Sequence, residues 1–204
     1  MIIIPEILLS LSKKRTIFRS QEDFQNSLME EFKQQGLKCL KNQNLMGSLI
    51  DIRVEDGSTG RGYAIEIKHK TRKLSIVDKG EHFYLKSHVA QDQGRFDYIK
   101  DVQKLEELVR KFPNMSGCAI LLTNDSAYWK KPLKKETADA DFRIHEGKVV
   151  EGRLCWKEGT SLGTMSGREE GINLSGTYQM KWQDYSKVSE ERYGEFRYLL
   201  VAIE

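Results

Sequence analysis

Two stretches decide how this chain is read: Ser48-Leu49-Ile50-Asp51-Ile52-Arg53-Val54 and Gly62-Tyr63-Ala64-Ile65-Glu66-Ile67-Lys68. Both are hydrophobic runs of strand length, and Asp56-Gly57-Ser58-Thr59-Gly60-Arg61 between them is turn chemistry, so they read as an antiparallel hairpin over 48–55 and 62–69. Side chains alternate faces along a strand, so Glu66 and Lys68 point the same way and Asp51 on the neighbouring strand can meet them. Charges on otherwise apolar strands are costly unless partnered, which marks these three as candidates for chemistry. Two carboxylates and an ammonium on one patch of sheet suit a divalent cation and a phosphate. The bland alternative is an exposed strand face with a cross-strand ion pair.

Working outward, Ser20 to Gln35 reads as a helix. Ser20 is its N-cap, Asp23 follows in a capping-box-like arrangement, Phe24, Leu28 and Phe32 form an apolar stripe, and Gly36 stops it. Lys38 to Leu40 is a short strand. Residues 71–90 have no clear period and read as a loop or a poorly marked element. Arg95 to Lys111 is a second helix, with Tyr98, Val102, Leu105 and Val109 on one face and Pro113 beyond its end. The continuous apolar run Cys118 to Leu122 suits a strand buried on both faces, placed at 117–123. After residue 140 come strand-like pieces at 148–156, a turn at Gly147 between 142–144 and 148–150, a strictly alternating stretch from Ile172 to Trp182, and an apolar run from Phe196 to Ile203. The order is helix, three strands, helix, strand and a β-rich tail. It predicts an α/β fold: a mixed sheet flanked by helices in one domain, with a core at about 20–135 and a C-terminal β elaboration at about 140–204.

The composition sets bounds. The 204 residues are 39% hydrophobic and 31% charged, which excludes a disordered chain. Net charge is +3, far from a histone-like binder, but Lys68, Lys70, Arg72 and Lys73 crowd the end of the Glu66 strand, and Lys130, Lys131, Lys134 and Lys135 form a second cluster. Cys39, Cys118 and Cys155 are an odd, scattered set without a CxxC and read as buried thiols in a reducing, cytoplasmic setting. The apolar N-terminus has its charges, Lys13, Lys14 and Arg15, after the run rather than before it. It therefore reads as an element packed on the domain rather than a leader or membrane span.

Glu-x-Lys also occurs at Glu31/Lys33, in the helix, and at Glu146/Lys148, around a turn; only Glu66/Lys68 lies mid-strand with an upstream Asp on a second strand. There is no HExxH, no Walker lysine and no nucleophile elbow. His69, His82, His88 and His145 have no zinc spacing, and His69 suits packing or a phosphate contact. Tyr84, Tyr128 and Trp129 are packing residues by default, though they could stack on bases.

On these residues the chain resembles the PD-(D/E)XK nuclease superfamily, the restriction-endonuclease-like fold. Ile50-Asp51 takes the Pro-Asp position, lacking its proline, and Glu66-Ile67-Lys68 takes the (D/E)xK position. The resemblance covers roughly residues 20–125, and Gln91 to Tyr98 is similar to a polar helix entrance in some uncharacterised members. It implies that Asp51, Glu66 and the Ile67 carbonyl hold Mg²⁺ (or Mn²⁺), that Lys68 orients a water or offsets transition-state charge, and that a glutamate of the first helix joins the site. Glu22 is the choice, ahead of Glu30 and Glu31. The implied activity is a metal-dependent endonuclease acting on DNA, with restriction, repair and mobile-element defence as settings and a catalytically silent binding module as the alternative. Lys70, Arg72 and Lys73 would contact backbone phosphate. No membrane is involved, and a homodimer stays open.

Overall fold

The computed structural model describes residues 4–134 and 136–204. The apolar N-terminus forms α1 (Ile4–Lys14), whose buried Ile4, Ile7, Leu8 and Leu11 recur at three- and four-residue spacing on one face. In α2 (Gln21–Gln34) the Ser20 Oγ accepts from the Asp23 N–H at 3.1 Å, as a cap should. The reciprocal half of the box is absent, because the Asp23 carboxylate accepts from the Arg19 N–H instead.

Three strands follow as an antiparallel meander: β1 (Lys38–Leu45), β2 (Ser48–Asp56) and β3 (Arg61–Lys70). β1 is longer than its sequence suggests. Its polar run Lys41-Asn42-Gln43-Asn44 carries no alternation because β1 is an edge strand, and its length comes from pairing with β2. Met46 and Gly47 turn the chain between them with φ of 52° and 85°, the left-handed pair a two-residue hairpin needs. Of the two readings of residues 71–90, the structure shows the poorly marked element rather than a loop. These residues hold the hairpin β4 (Leu74–Asp78) and β5 (Glu81–Leu85), joined through Lys79 and Gly80, also at positive φ.

The long helix α3 (Gln91–Lys111) begins four residues before Arg95 and crosses over to β6 (Met115–Thr123), which lies parallel to β3. β6 is buried on both faces, as its apolar run requires. Gly117 lets α3 approach: a Cβ there would sit 3.0 Å from that of Leu105.

β7 (Val149–Leu154) pairs with β8 (Ile172–Gln179), and the short α4 (Leu162–Met165) lies between them. β9 (Trp182–Lys187) and β10 (Glu195–Ile203) complete a six-stranded sheet in the order β1-β2-β3-β6-β10-β9. Among the described residues only the β3–β6 pair is parallel. The architecture is thus a mixed, mainly antiparallel sheet flanked by helices. The C-terminal segment is not all elaboration, since β10 pairs with β6 inside the sheet and only the β7–β8 hairpin stands off it. The alternating stretch 172–182 breaks at Met180 and Lys181, so its halves join different sheets, and residues 142–144 form no strand.

One sheet face, with Ala64, Ala119, Leu121, Leu199 and Val201, meets α3 and the β7–β8 hairpin. The other, with Ile52, Val54, Ile65, Ile67, Ile120 and Leu122, meets α1 and α2. All three cysteines are free; Cys118 is buried, while Cys39 and Cys155 are half-buried rather than fully so. Among the described residues no helix is long and apolar enough to cross a membrane.

Candidate functional site

Strand alternation aims Ile65, Ile67 and His69 at the α2 side of the sheet, so Glu66 and Lys68 emerge on the α3 side. The β2–β3 ladder ends at the Ile52–Ile65 pair. Beyond it the Asp51 carboxylate takes the place of a strand carbonyl, its Oδ2 accepting the Ile67 N–H at 2.8 Å. Asp51 is itself fixed from behind, because its carbonyl accepts from Nε2 of the buried Gln25 on α2 at 2.6 Å.

The helix α3 closes over this patch and brings two residues that sequence reasoning missed. Lys68 Nζ lies 2.5 Å from Asp101 Oδ2, and Lys104 Nζ lies 2.6 Å from Glu66 Oε1. Lys104 also reaches the second Asp101 oxygen at 3.8 Å and donates to the Leu49 carbonyl at 3.0 Å. Glu66 and Asp101 are buried, with 3% and 8% of their surfaces exposed. Although Glu66 Oε1 and Asp101 Oδ2 touch lysines, neither receives a well-directed hydrogen bond. The ammonium groups supply charge there rather than geometry.

Three carboxylates, Asp51, Glu66 and Asp101, therefore face two ammonium groups, leaving one negative charge in excess when all ionise. Burial, then the charges of Asp101 and Asp51, push the Glu66 carboxyl up to about 8, against the opposing pull of Lys104. Asp101 is raised by burial as well, with Lys68 and Lys104 working against the shift. For Lys68 burial acts downward, but the contact with Asp101 and the charges of Glu66 and Asp51 outweigh it and raise its pKa. Among the described residues no three His, Cys, Asp or Glu side chains are arranged as a metal-holding group. The donors that would hold an ion are two carboxylates, Asp51 and Glu66, with the Ile67 carbonyl. This all-oxygen set fits a hard divalent cation such as Mg²⁺, which needs only one or two protein carboxylates.

Asp51, Glu66, Ile67 and Lys68 are thus brought together. Glu22 is not with them. It sits in the first turn of α2, on the far face of the sheet, exposed and paired with Lys41 at 2.7 Å. Glu30 pairs with Lys33, and Glu31 is buried against Lys14 and Ser10. The three basic residues do not form one row. Lys70 is partly buried, which lowers its pKa against the pull of Asp97. The Arg72 guanidinium lies 5.3 Å from the Tyr193 ring, and Lys73 lies 5.8 Å from the Tyr84 ring. His69 is a packing residue, fully enclosed between Phe18 and Phe24, and burial pushes its pKa down to about 3. In the polar entrance of α3, Arg95 pairs with the buried Asp139 at 2.6 Å. Lys135, of the second basic cluster, lies outside the described residues.

Asp101 had a signal in the sequence. It falls three residues after Tyr98 and one before Val102, on the apolar stripe of an amphipathic helix, where a carboxylate needs a partner. Lys104 follows at the spacing that places it beside Asp101. In comparison with known proteins, no family model, no curated protein and no solved structure matches the chain.

Proposed function

We propose that this chain is a metal-dependent nuclease of the PD-(D/E)XK kind, hydrolysing phosphodiester bonds of DNA. The observation that carries the reading is the buried cluster on β3: Glu66 and Lys68 on one strand face, Asp51 on the adjoining strand, and Asp101 closing it from α3. The order of elements supports it, with α2, the β1–β2–β3 meander, the α3 crossover and β6 parallel to β3. Asp51 and Glu66 are close enough for the Asp51 charge to raise the Glu66 carboxyl, a repulsion that a bound cation would relieve.

In this reading Asp51, Glu66 and the Ile67 carbonyl hold Mg²⁺ or Mn²⁺. The ion, when bound, supplies Lewis acidity at the phosphate and lowers the pKa of the attacking water. Asp51 keeps its orientation through the Ile67 amide. Asp101 keeps Lys68 charged, so that its ammonium can offset charge gathering on the phosphate. Lys104 balances Glu66 in the metal-free protein and would compete with a cation for that carboxylate. Lys70, Arg72 and Lys73 extend positive charge from the patch toward the strand backbone.

A second reading, a silent binding module, draws on one feature: Glu66 and Asp101 already have ammonium partners, so the cluster can persist without an ion. Incubation of the wild type and Glu66→Ala with linear, supercoiled and branched DNA in Mg²⁺, Mn²⁺ or EDTA separates the two. Metal-dependent cutting by the wild type alone is expected. Equal cutting by both proteins, or none by either with salt-sensitive binding intact, rejects the nuclease.

A further inference from the structure

Where β3 and β6 leave the sheet together, at the Lys70–Thr123 pair, separate pieces of chain surround a cavity of about 360 Å³. Its walls carry Arg72, Lys130, Lys131, Arg143 and Arg192, against Asp125 as the one carboxylate among the described lining residues. Asp125 is already engaged: it accepts from Gln91 Nε2 at 2.8 Å and from the Ala127 N–H at 3.1 Å, with Arg72 4.0 Å away.

The cavity is held in shape. The buried Asn124 clamps two of its walls, accepting the Arg72 N–H at 2.7 Å and donating to the Arg72 carbonyl at 3.3 Å and the Tyr193 carbonyl at 2.9 Å. Tyr193 has φ 72°, a left-handed conformation that costs a residue with a side chain about 1 kcal/mol or more. The clamp holds it there, and its ring sits 5.3 Å from the Arg72 guanidinium and 4.8 Å from that of Arg192. Two guanidinium nitrogens of the lining, Nε of Arg72 and Nε of Arg143, are buried with no hydrogen-bond partner. Buried donors left in that state are rare and costly, so neither guanidinium is fully satisfied by the protein alone. Arg143 already pairs with the buried Asp139 at 3.0 Å, yet burial and the neighbouring charge of Arg95 outweigh that contact and lower its pKa. Gln91, the first residue of α3, lines the same space, and its N-cap Ala90 offers no side-chain acceptor.

Five cations converging on one cavity, of which Arg143 is paired with Asp139 and Arg72 lies 4.0 Å from Asp125, differ from the extended stripe that tracks a run of phosphodiesters. They suit a single group with more than one negative charge, and a phosphate monoester carries about −1.5 to −2 near neutral pH. The volume lies at the small end of ligand pockets, too small for a duplex. We infer that this cavity seats a phosphate monoester borne on a nucleotide, either the phosphorylated end of a strand or a free nucleotide. The strand-end form rests on the nuclease reading. Arg72 follows Lys68 by four residues, about 13 Å at strand spacing, so an end seated here would lie a few nucleotides from the Glu66 cluster.

The test is binding in EDTA, so that cutting plays no part. One pair of probes is a 5′-phosphorylated and a 5′-hydroxyl oligonucleotide of the same sequence, read by fluorescence polarisation. The other is a nucleoside 5′-monophosphate and its nucleoside, read by calorimetry. Each is run on the wild type, on Lys131→Gln/Arg192→Gln, which alters only exposed side chains, and on Arg72→Gln. The phosphorylated member of at least one pair should bind tenfold or more tightly in the wild type, and the ratio should fall toward one in both variants while their circular dichroism is unchanged. A preference within the oligonucleotide pair assigns the strand end; one confined to the mononucleotide pair assigns the free nucleotide. A ratio near one in both wild-type pairs, or a preference that survives both variants, overturns the pocket. A protein that shows the preference but never cuts DNA in Mg²⁺ keeps the pocket and loses the nuclease reading.

Discussion

Replacing Glu66 by Gln keeps the size of a buried side chain and its acceptor for Lys104 but removes a titration. The Glu66 carboxyl stands near 8 in the folded protein against an ordinary 4.5, chiefly through burial and then the charges of Asp101 and Asp51. Between those two values the folded state holds a proton that the unfolded chain has released. Stability must therefore fall as pH rises, by at most about 1.4 kcal/mol per pH unit for one proton. Asp101 is raised too, so the slope belongs to the linked pair rather than to one carboxyl. His69 works in the opposite sense. Its imidazole, pushed down to about 3, resists a proton that the unfolded chain accepts below about 6.5, so its contribution rises with pH and is complete above 6.5. The two slopes oppose each other from 4.5 to 6.5, and Glu66 acts without that opposition from 6.5 to 8. In EDTA, urea unfolding at intervals from pH 5 to 9 should show wild-type stability declining across the upper interval. Glu66→Gln should be flatter there and the more stable protein at pH 8–9. Parallel profiles for the two proteins, or a variant that is weaker at pH 8–9, would mean that Glu66 is ionised and well solvated, and the account of a crowded, dry carboxylate cluster would fail.

Three other outcomes follow from the same geometry. His69→Leu should flatten the acid limb of the stability profile below pH 6.5, checked in the same unfolding series; an unchanged limb would show that the imidazole charges in place. Asp51→Ala should lose nearly all metal-dependent cleavage and, by stranding the Ile67 amide, about 1–3 kcal/mol of stability, whereas Lys68→Ala should keep metal binding and lose on the order of 10²–10³ in rate. Single-turnover cleavage with metal titration distinguishes them, and retained rate in Lys68→Ala would remove that residue from the chemistry. Lys104→Ala removes the cation that competes for Glu66, so activity should saturate at lower Mg²⁺ than in the wild type; a rightward shift of the Mg²⁺ curve would show that Lys104 helps assemble the site instead.

What the sequence made legible follows the range of the forces involved. α2, β2, β3, α3 and β6 each satisfy their hydrophobic period within their own residues, so periodicity located them, and alternation on β3 was enough to put Glu66 and Lys68 on one face. β1 escaped in most of its length because an edge strand of Lys, Asn and Gln is held by hydrogen bonds to β2, not by an apolar face. β4 and β5 escaped because each has five residues and packs only one or two side chains per strand deeply, too few to set a period. The choice of Glu22 failed for a different reason. A helix preceding a strand can cover either face of a sheet, and α2 covers the face away from Glu66, so its acidic first turn looks to Lys41. The carboxylate that does close the site comes from α3, which the β3–β6 crossover lays over the other face. The handedness of such crossovers is nearly fixed, so the face that α3 covers follows once β6 is known to run parallel to β3. That pairing is the missing quantity: it turns an isolated acidic residue on the apolar stripe of α3 into the partner of Lys68. It also brings the ends of two strands together, so that basic residues as far apart in sequence as Arg72, Lys131 and Arg192 line one cavity.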